Sequence, residues 1–546
     1  MQQHWGDGLL PWQSTMSIDR RTFLVTTARV AAVAWSGSHL LTTSTEALTF
    51  YVSAAGSNSN NGLSPSAPWR DLTPVNATAL APGNTILFRG GDTFTGRIYV
   101  DGTSLPAGTA PITFGSYGRG RAALTNTSDC AFYAYNPTCG IRIRRLRFVG
   151  PGPSVARIAG VLLYRDLPGR SGHVRIQGCQ AVGWTDGVSI GGWSGGGFDD
   201  VRVTNCSLSD NRDTGLAVFG AEFDSAAPAY ANTNVYVGSC QAFNQKGDPT
   251  SARNSGSGFV LGSVDGGMVE GCTAYGNGSL CAAPEGPVGI WAYDSNRVTF
   301  QSNASYSNET GGAADGGGFD LDINCSNCTV QYNLAYGNAG PGVLLFSGAN
   351  NEAHTGNVVR YNLLWGNAIN NYSYGEVLVA GSVRSAEIYN NTMVAGQAGT
   401  VKSAAVAIWE GPSDVHLSNN ILLATGTGPI VMSRAASSTS AVLFQGNSYH
   451  STGAFSIAWG GTEISTVEAW TQATGQELVS GVASAVSGDP QLVNAAVSPT
   501  PVDANGMKLQ IGSPLQAAGL DLVDCGPHDY FGTALSSPVS IGGHEL

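Results

Sequence analysis

The sequence predicts an all-β solenoid: one column of stacked parallel coils with a cap at each end. Three observations lead there. A six-residue pattern, alternating apolar positions closed by a small polar residue or cysteine, returns every 27 to 34 residues, a spacing that suits one coil. Glycine is abundant (74 of 546) and charged residues are scarce (12%), as many tight turns between strands require. No long Lys/Glu-rich stretch carries the 3.6-residue apolar period of a helical bundle.

Residues 1–47 stand apart from the repeats. The segment from Met16 to Val25 contains Arg20-Arg21-Thr22-Phe23-Leu24 and runs into a modestly apolar stretch ending near Leu41. It resembles a twin-arginine export signal, with a cleavage site after Ala47 and an upstream extension over residues 1–15. Arg29 and His39 interrupt the apolar run, so a membrane span is not expected. The expected location is therefore secreted or periplasmic.

The repeat begins at Ile141-Arg142-Ile143-Arg144-Arg145-Leu146. It returns as Val174–Cys179, Val201–Cys206, Val235–Cys240, Gly267–Cys272, Val298–Asn303 and Cys328–Asn333, with later copies closing at Asn362, Asn391, Asn420 and Asn447. One coil cannot bury its own apolar face. Stacking coils about 4.8 Å apart buries a continuous core and pairs every strand. The closing residues then form a vertical ladder of Leu146, four cysteines and six asparagines, in which inward amides hydrogen-bond from coil to coil. On this reading the asparagines are structural, and Cys179, Cys206, Cys240 and Cys272 are small buried residues. Cys130/Cys139 and Cys325/Cys328 are candidates for local disulfides.

The ends differ from the middle. Residues 48–140 are read as an N-terminal cap and first coils, 141–460 as central coils with loop insertions, and 461–546 as last coils, a short helix near Ser465–Thr474 and a C-terminal cap. Net charge is −12 and the only lysines are Lys246, Lys402 and Lys508. With no basic stripe visible, a nucleic-acid partner is not expected, and a polyanionic substrate would need a bridging cation.

The openings Phe50–Gly62 and Pro82–Asp92 and the closing motifs Gly512-Ser513-Pro514 and Ile541–Glu545 resemble the pectate-lyase-like β-helix superfamily. The resemblance covers nearly all of the chain after residue 47. It implies a right-handed parallel β-helix and leaves the chemistry open, since that scaffold carries lyases, hydrolases, epimerases and inert adhesins.

Chemistry is expected where the loops lengthen. The segments 244–254, 276–287 and 308–315 are long and polar, and insertions on one edge of a solenoid build a binding wall. Directly after them comes Asp315-Gly316-Gly317-Gly318-Phe319-Asp320-Leu321-Asp322-Ile323. Alternation places Phe319, Leu321 and Ile323 in the core and projects Asp320 and Asp322 outward, with Asp315 folding over them from the loop. Aligning Gly289–Asp294 with Gly318–Ile323 sets Trp291 beside Asp320 and Tyr293 beside Asp322. Leu344 and Phe346 follow on the other side, and Trp409 lies further along.

Paired carboxylates beside outward aromatic rings suit a sugar site: rings stack on pyranose faces while acids perform the chemistry. The expected catalytic residues are Asp315, Asp320 and Asp322. The expected substrate contacts are Trp291, Tyr293, Asp294, Lys246, Arg253 and Trp409, on an oligo- or polysaccharide. The leading expectation is a glycoside hydrolase that requires no cofactor. Ca²⁺ at the acids with a basic proton acceptor would make a lyase or epimerase instead, and Asp315–Asp322 resembles the acidic strand motif of β-helix pectate lyases. The coil that follows, Gly340–Phe346, carries no base, and Lys246 and Arg253 lie two coils earlier on a loop. The Asp315/Asp322 spacing is similar to that of β-helix glycoside hydrolases of the lacto-N-biosidase type. A non-catalytic glycan-binding solenoid is the remaining alternative. His173, His354 and His416 are read as turn or surface residues.

Overall fold

The computed structural model describes residues 47–546 except 107, 156–157, 313, 349–352, 371–373, 399–400, 410 and 496–502. The twin-arginine segment lies outside the described residues. Among those described, no helix is long and apolar enough to cross a membrane.

Each coil contributes one strand to each of three 14-stranded sheets. The first sheet runs from Thr49–Val52 to Val442–Gln445, the second from Thr93–Thr95 to Val486–Ser487, and the third from Ile98–Asp101 to Thr462–Ile464. Coils pair in parallel register, so one column of the first sheet reads Val174, Val201, Val235, Gly267, Val298; the closing strand Thr462–Ile464 of the third sheet instead folds back antiparallel, on Ile457–Trp459. Inward residues of neighbouring positions, among them Ile176, Val203, Val237, Val269, Phe300 and Val330, are fully buried. The solenoid expected from the sequence is the fold observed.

The ladder sits at the corner between the first and second sheets. Each rung accepts the backbone N–H of the preceding rung: Cys206 to the Cys240 sulfur and Cys240 to the Cys272 sulfur at 3.4 Å, then Cys272 to the Asn303 Oδ1 at 2.9 Å. From Asn303 the chain of acceptors continues through Asn333, Asn362, Asn391, Asn420 and Asn447 at 2.9–3.0 Å. The residue before each asparagine turns the chain in the left-handed region, as at Ser302 (φ 55°), Tyr332 (56°) and Tyr361 (50°). Such a turn costs a non-glycine residue about 1–2 kcal/mol. Leaving the rung amides unpaired in the core would cost about 1–3 kcal/mol each, so the ladder offsets the turn.

A second ladder, unforeseen from the sequence, lines the corner between the second and third sheets. There Asn211, Gln245, Asn277, Asn308, Asn338 and Asn367 hand their amides to one another. The strands of the third sheet begin with a glycine at this level because a side chain would strike the ladder: a Cβ on Gly289 would lie 2.7 Å from Asn308 Nδ2, and one on Gly342 2.9 Å from Asn367 Nδ2. In the next coil this column holds Glu376, fully buried, whose carboxyl accepts from the Asn367 backbone (3.0 Å) and side chain and so ends the ladder. Glu477 ends the first ladder similarly, accepting from Asn447 Nδ2 at 2.8 Å.

Three local expectations need correction. All ten cysteines are free. Cys325 donates to the Ala292 carbonyl at 3.3 Å, and Cys328 accepts the Val298 N–H at 3.4 Å, so both act as rungs instead of partners in a disulfide. Ile323 is exposed, because the strand stops at Leu321 and the chain turns at Asn324 (φ 57°). His354 is buried, not a surface residue. The late helix spans Val467–Thr474, capped by the Thr466 side chain and ended by left-handed Gly475; a further short helix, Leu72–Ala77, is capped by Asp71. The C-terminal segment packs back along the coils through Asn390 to the Ser540 carbonyl (2.8 Å) and Asn419 to the Leu520 carbonyl (2.9 Å).

Replacing Asn362 with leucine strips the acceptor from both the backbone and side-chain N–H of Asn333. The expected loss is about 1–3 kcal/mol for each stranded group, read as a lower urea midpoint. Burial raises the Glu376 carboxyl from 4.5 to about 8. The folded state therefore holds a proton that the unfolded chain releases, and stability falls as pH rises between those two values. Glu376→Gln should flatten that part of the stability–pH curve.

Candidate active site on the third sheet

The long loops expected to build a wall do stack on one another. Gly278 and Leu280 donate to the carbonyls of Gln245 and Lys246, Glu309 and Gly311 donate to those of Asn277 and Cys281, and the Asn254 side chain donates to the Gly286 carbonyl. They deliver the chain into three consecutive strands of the third sheet, Ser257–Gly262, Val288–Tyr293 and Gly317–Leu321, with Val343–Ser347 the next in that sheet. Trp291 pairs with Asp320, and Asp320 with Leu344, as the alignment predicts. The Asp322 N–H donates to the Ala292 carbonyl at 2.9 Å, which sets Asp322 level with Tyr293.

The three aspartates are not equivalent. Asp320 points away from the core side chains Phe319 and Leu321, yet it is only 3% exposed, and its Oδ1 has no hydrogen-bond partner among the described residues. This corrects the expectation of an exposed pair. Burial, reinforced by Asp322 and Asp315, holds its carboxyl well above the usual range and so favours its protonated form. Asp322 is half-buried at the strand end, and its Oδ1 accepts the Ile323 N–H at 2.7 Å. Burial outweighs that bond and, with Asp315, Asp294 and Glu285, pushes it up to about 7. Asp315, also half-buried and in the left-handed region (φ 48°), accepts the Gly286 N–H at 3.0 Å. Burial and Glu285 nevertheless raise it to about 6.

The aromatic residues lie as expected. Trp291 and Tyr293 are half-buried on the outer face with ring centroids 5.3 Å apart, and the Trp291 Nε1 has no partner among the described residues. Tyr293 packs over Gly262, where a Cβ would meet its ring at 2.2 Å. Asp294 accepts from the Asn324 side chain at 2.7 Å, which ties the Trp291 strand to the turn after Asp322; burial raises it to about 6. Trp409 stands in the Asp322 column, three coils on. Lys246 is exposed and Arg253 half-buried on the wall, and neither forms an ion pair among the described residues. Neither is among the charges that act on the three aspartates.

Two side chains that the sequence did not single out join the site from later coils. Tyr374 is buried, accepts the Asp315 N–H through its hydroxyl at 3.3 Å, and packs on Trp409 at 5.5 Å between centroids. The Arg434 guanidinium lies over the Trp409 ring, 3.5 Å from its centroid. Beneath the acids, the imidazole of His354 bonds the Leu321 carbonyl at 2.9 Å through Nε2. Burial lowers its pKa to about 4, so it is neutral, with the Nε2–H donating and Nδ1 accepting from Asn357. Among the described residues, no three His, Cys, Asp or Glu side chains converge closely enough to hold a metal ion.

Fold and site together define a right-handed parallel β-helix with a carboxylate cluster on one sheet. The chain matches the family model described as "Right handed beta helix region" over residues 168–351 and 229–393. It is similar to a lacto-N-biosidase of Bifidobacterium longum subsp. longum, 40% identical over 96 residues, which are 17% of this chain and 6% of that protein. Among solved structures it is similar to a lacto-N-biosidase of family GH136 from Eubacterium ramulus (TM-score 0.49, 16% identity, 70% of this chain and 65% of that one). It is also similar to pectate lyase Pel9A (TM-score 0.43, 16% identity, 91% and 96%). The chain thus spans 6% of the curated relative's length and under two thirds of the Eubacterium enzyme.

Asp320→Asn keeps the shape of a carboxyl that the fold holds protonated. Because ionising Asp320 opposes folding as pH rises, the variant should match the parent in melting temperature at about pH 3, below the unfolded value, and gain on it as pH rises.

Proposed function

We propose that this protein is a glycoside hydrolase acting on an oligo- or polysaccharide. The observation that carries the reading is the division of labour among three neighbouring aspartates beside a Trp–Tyr platform. Asp322, with a pKa of about 7, retains a proton near neutral pH and serves as the acid that protonates the glycosidic oxygen. Asp315, lower at about 6 and stabilised by the Gly286 N–H, serves as the carboxylate that attacks or activates water. Asp320 lies too deep to reach a sugar, and its role is to keep a neutral floor under the pair. Trp291 and Tyr293 stack on the sugar rings, with Trp409 extending the surface. The local likeness to lacto-N-biosidase supports the hydrolase over the lyase, and the twin-arginine segment supports export.

Asp322→Asn and Asp315→Asn should each lower turnover by about 10²-fold or more without loss of thermal stability, on a substrate found with a glycan panel. Activity of the parent should decline above about pH 7 as Asp322 loses its proton. Trp291→Ala should raise KM more than it lowers kcat, since stacking acts on ground and transition states alike. Full activity in both Asn variants, or an ultraviolet-absorbing unsaturated product whose formation a chelator abolishes, would contradict the assignment.

A further inference from the structure

The charge of this chain is unevenly placed. It carries a net −12, yet the segments 112–125, 141–149, 174–182 and 201–209 hold eight arginines and neither aspartate nor glutamate. These segments form the first strand, corner and second strand of four consecutive coils. Dispersed along the sequence, the arginines come together only when the coils stack. Arg142 and Arg144 lie outward on the first sheet, Arg145 at the corner and Arg147 on the second sheet, all exposed, with Arg119 and Arg121 exposed at the same corner one coil earlier. Register places Arg175 and then Arg202 in the Arg142 column, about 4.8 Å apart per coil.

The outer two share one carboxylate: Asp200 pairs with Arg175 at 2.5 Å and with Arg202 at 3.2 Å. Arg119, Arg142, Arg144, Arg145 and Arg147 form no ion pair among the described residues. Five unpaired guanidinium groups on one corner repel one another and gain only from an anion brought from outside. In each coil this corner lies across from the acid-bearing third sheet, so a polyanion held here avoids the carboxylates.

We propose that this corner binds an acidic glycan, a polymer carrying carboxylate or sulfate groups, at a surface separate from the third-sheet acids. Guanidinium groups match such anions in a bidentate fork. The arginine-bearing strands 141–149, 174–182 and 201–209 carry no outward aromatic ring on which a nucleic-acid base could stack. None of the four segments exposes a large apolar side chain to anchor in a lipid surface. The surface holds the protein on an acidic matrix while the opposite face remains free.

The test uses the protein with heparin as the probe. The parent should bind at low salt and lose affinity steeply as salt rises. Arg142→Gln/Arg144→Gln/Arg147→Gln should weaken binding by about tenfold or more, three exposed charge pairs being lost, with an unchanged melting temperature and unchanged turnover of a small soluble substrate. Asp322→Asn should bind heparin like the parent, which separates this surface from the catalytic reading. Equal heparin affinity in the triple variant would overturn the proposal. So would tighter binding to a duplex DNA oligonucleotide or to phosphatidylglycerol vesicles than to heparin.

Discussion

Every coil of this protein must turn sharply in the interior and leave a backbone N–H pointing along the axis, where water cannot reach it. From Cys206 onward the first ladder satisfies that constraint by giving each such N–H a side chain from the next coil, sulfur at Cys240 and Cys272 and amide oxygen from Asn303 onward, and from Asn211 to Asn367 the second ladder does the same at its corner. A ladder tolerates no slip. A one-residue shift in a strand would flip its side chains between core and surface and would move the rung out of reach. Register is therefore passed from coil to coil, and outward columns that are far apart in sequence stay aligned. Where the ladders end, buried Glu376 and Glu477 supply the last acceptors.

The functional face depends on that alignment. Asp320 comes between Trp291 and Leu344 because those columns are in register, and the same packing, by excluding water, raises its carboxyl well above the usual range. At Asp322 the strand has ended, so this carboxyl is half-exposed and titrates near neutral pH. The loop wall returns Asp315 to the same place through Gly286. Neighbouring acids in different surroundings thus acquire different proton affinities, which acid–base chemistry on a glycosidic bond requires.

Much of this was legible in the sequence, and the omissions have physical reasons. The first ladder shows because each rung closes an alternating apolar strand. The second ladder left a fainter trace, the pairs Gly276-Asn277, Ser307-Asn308, Gly337-Asn338 and Gly366-Asn367, which read as ordinary polar turns until the glycines packed against them are seen. Trp291, Asp320 and Asp322 could be placed by strand alternation. Alternation does not reach Ile323, two residues after the strand end, and it carries no information on burial, so it predicts an exposed Asp320. Tyr374 and Arg434 arrive from later coils and no local pattern marks them. Lys246 and Arg253 were drawn in by charge on a nearby loop, and the fold leaves them on the wall. The arginine corner is invisible to a linear scan because it is assembled from one or a few residues per coil.

The central claim is that the fold sets different protonation states on Asp320 and Asp322, two positions apart. Carboxyl-selective ¹³C labelling of aspartate, with each signal assigned by its Asn variant and followed by NMR from pH 4 to 9, measures this directly. The account predicts that Asp322 titrates near pH 7 while Asp320 remains protonated through neutrality. Two ordinary carboxyls, both titrating near pH 4 as in exposed aspartate, would contradict it.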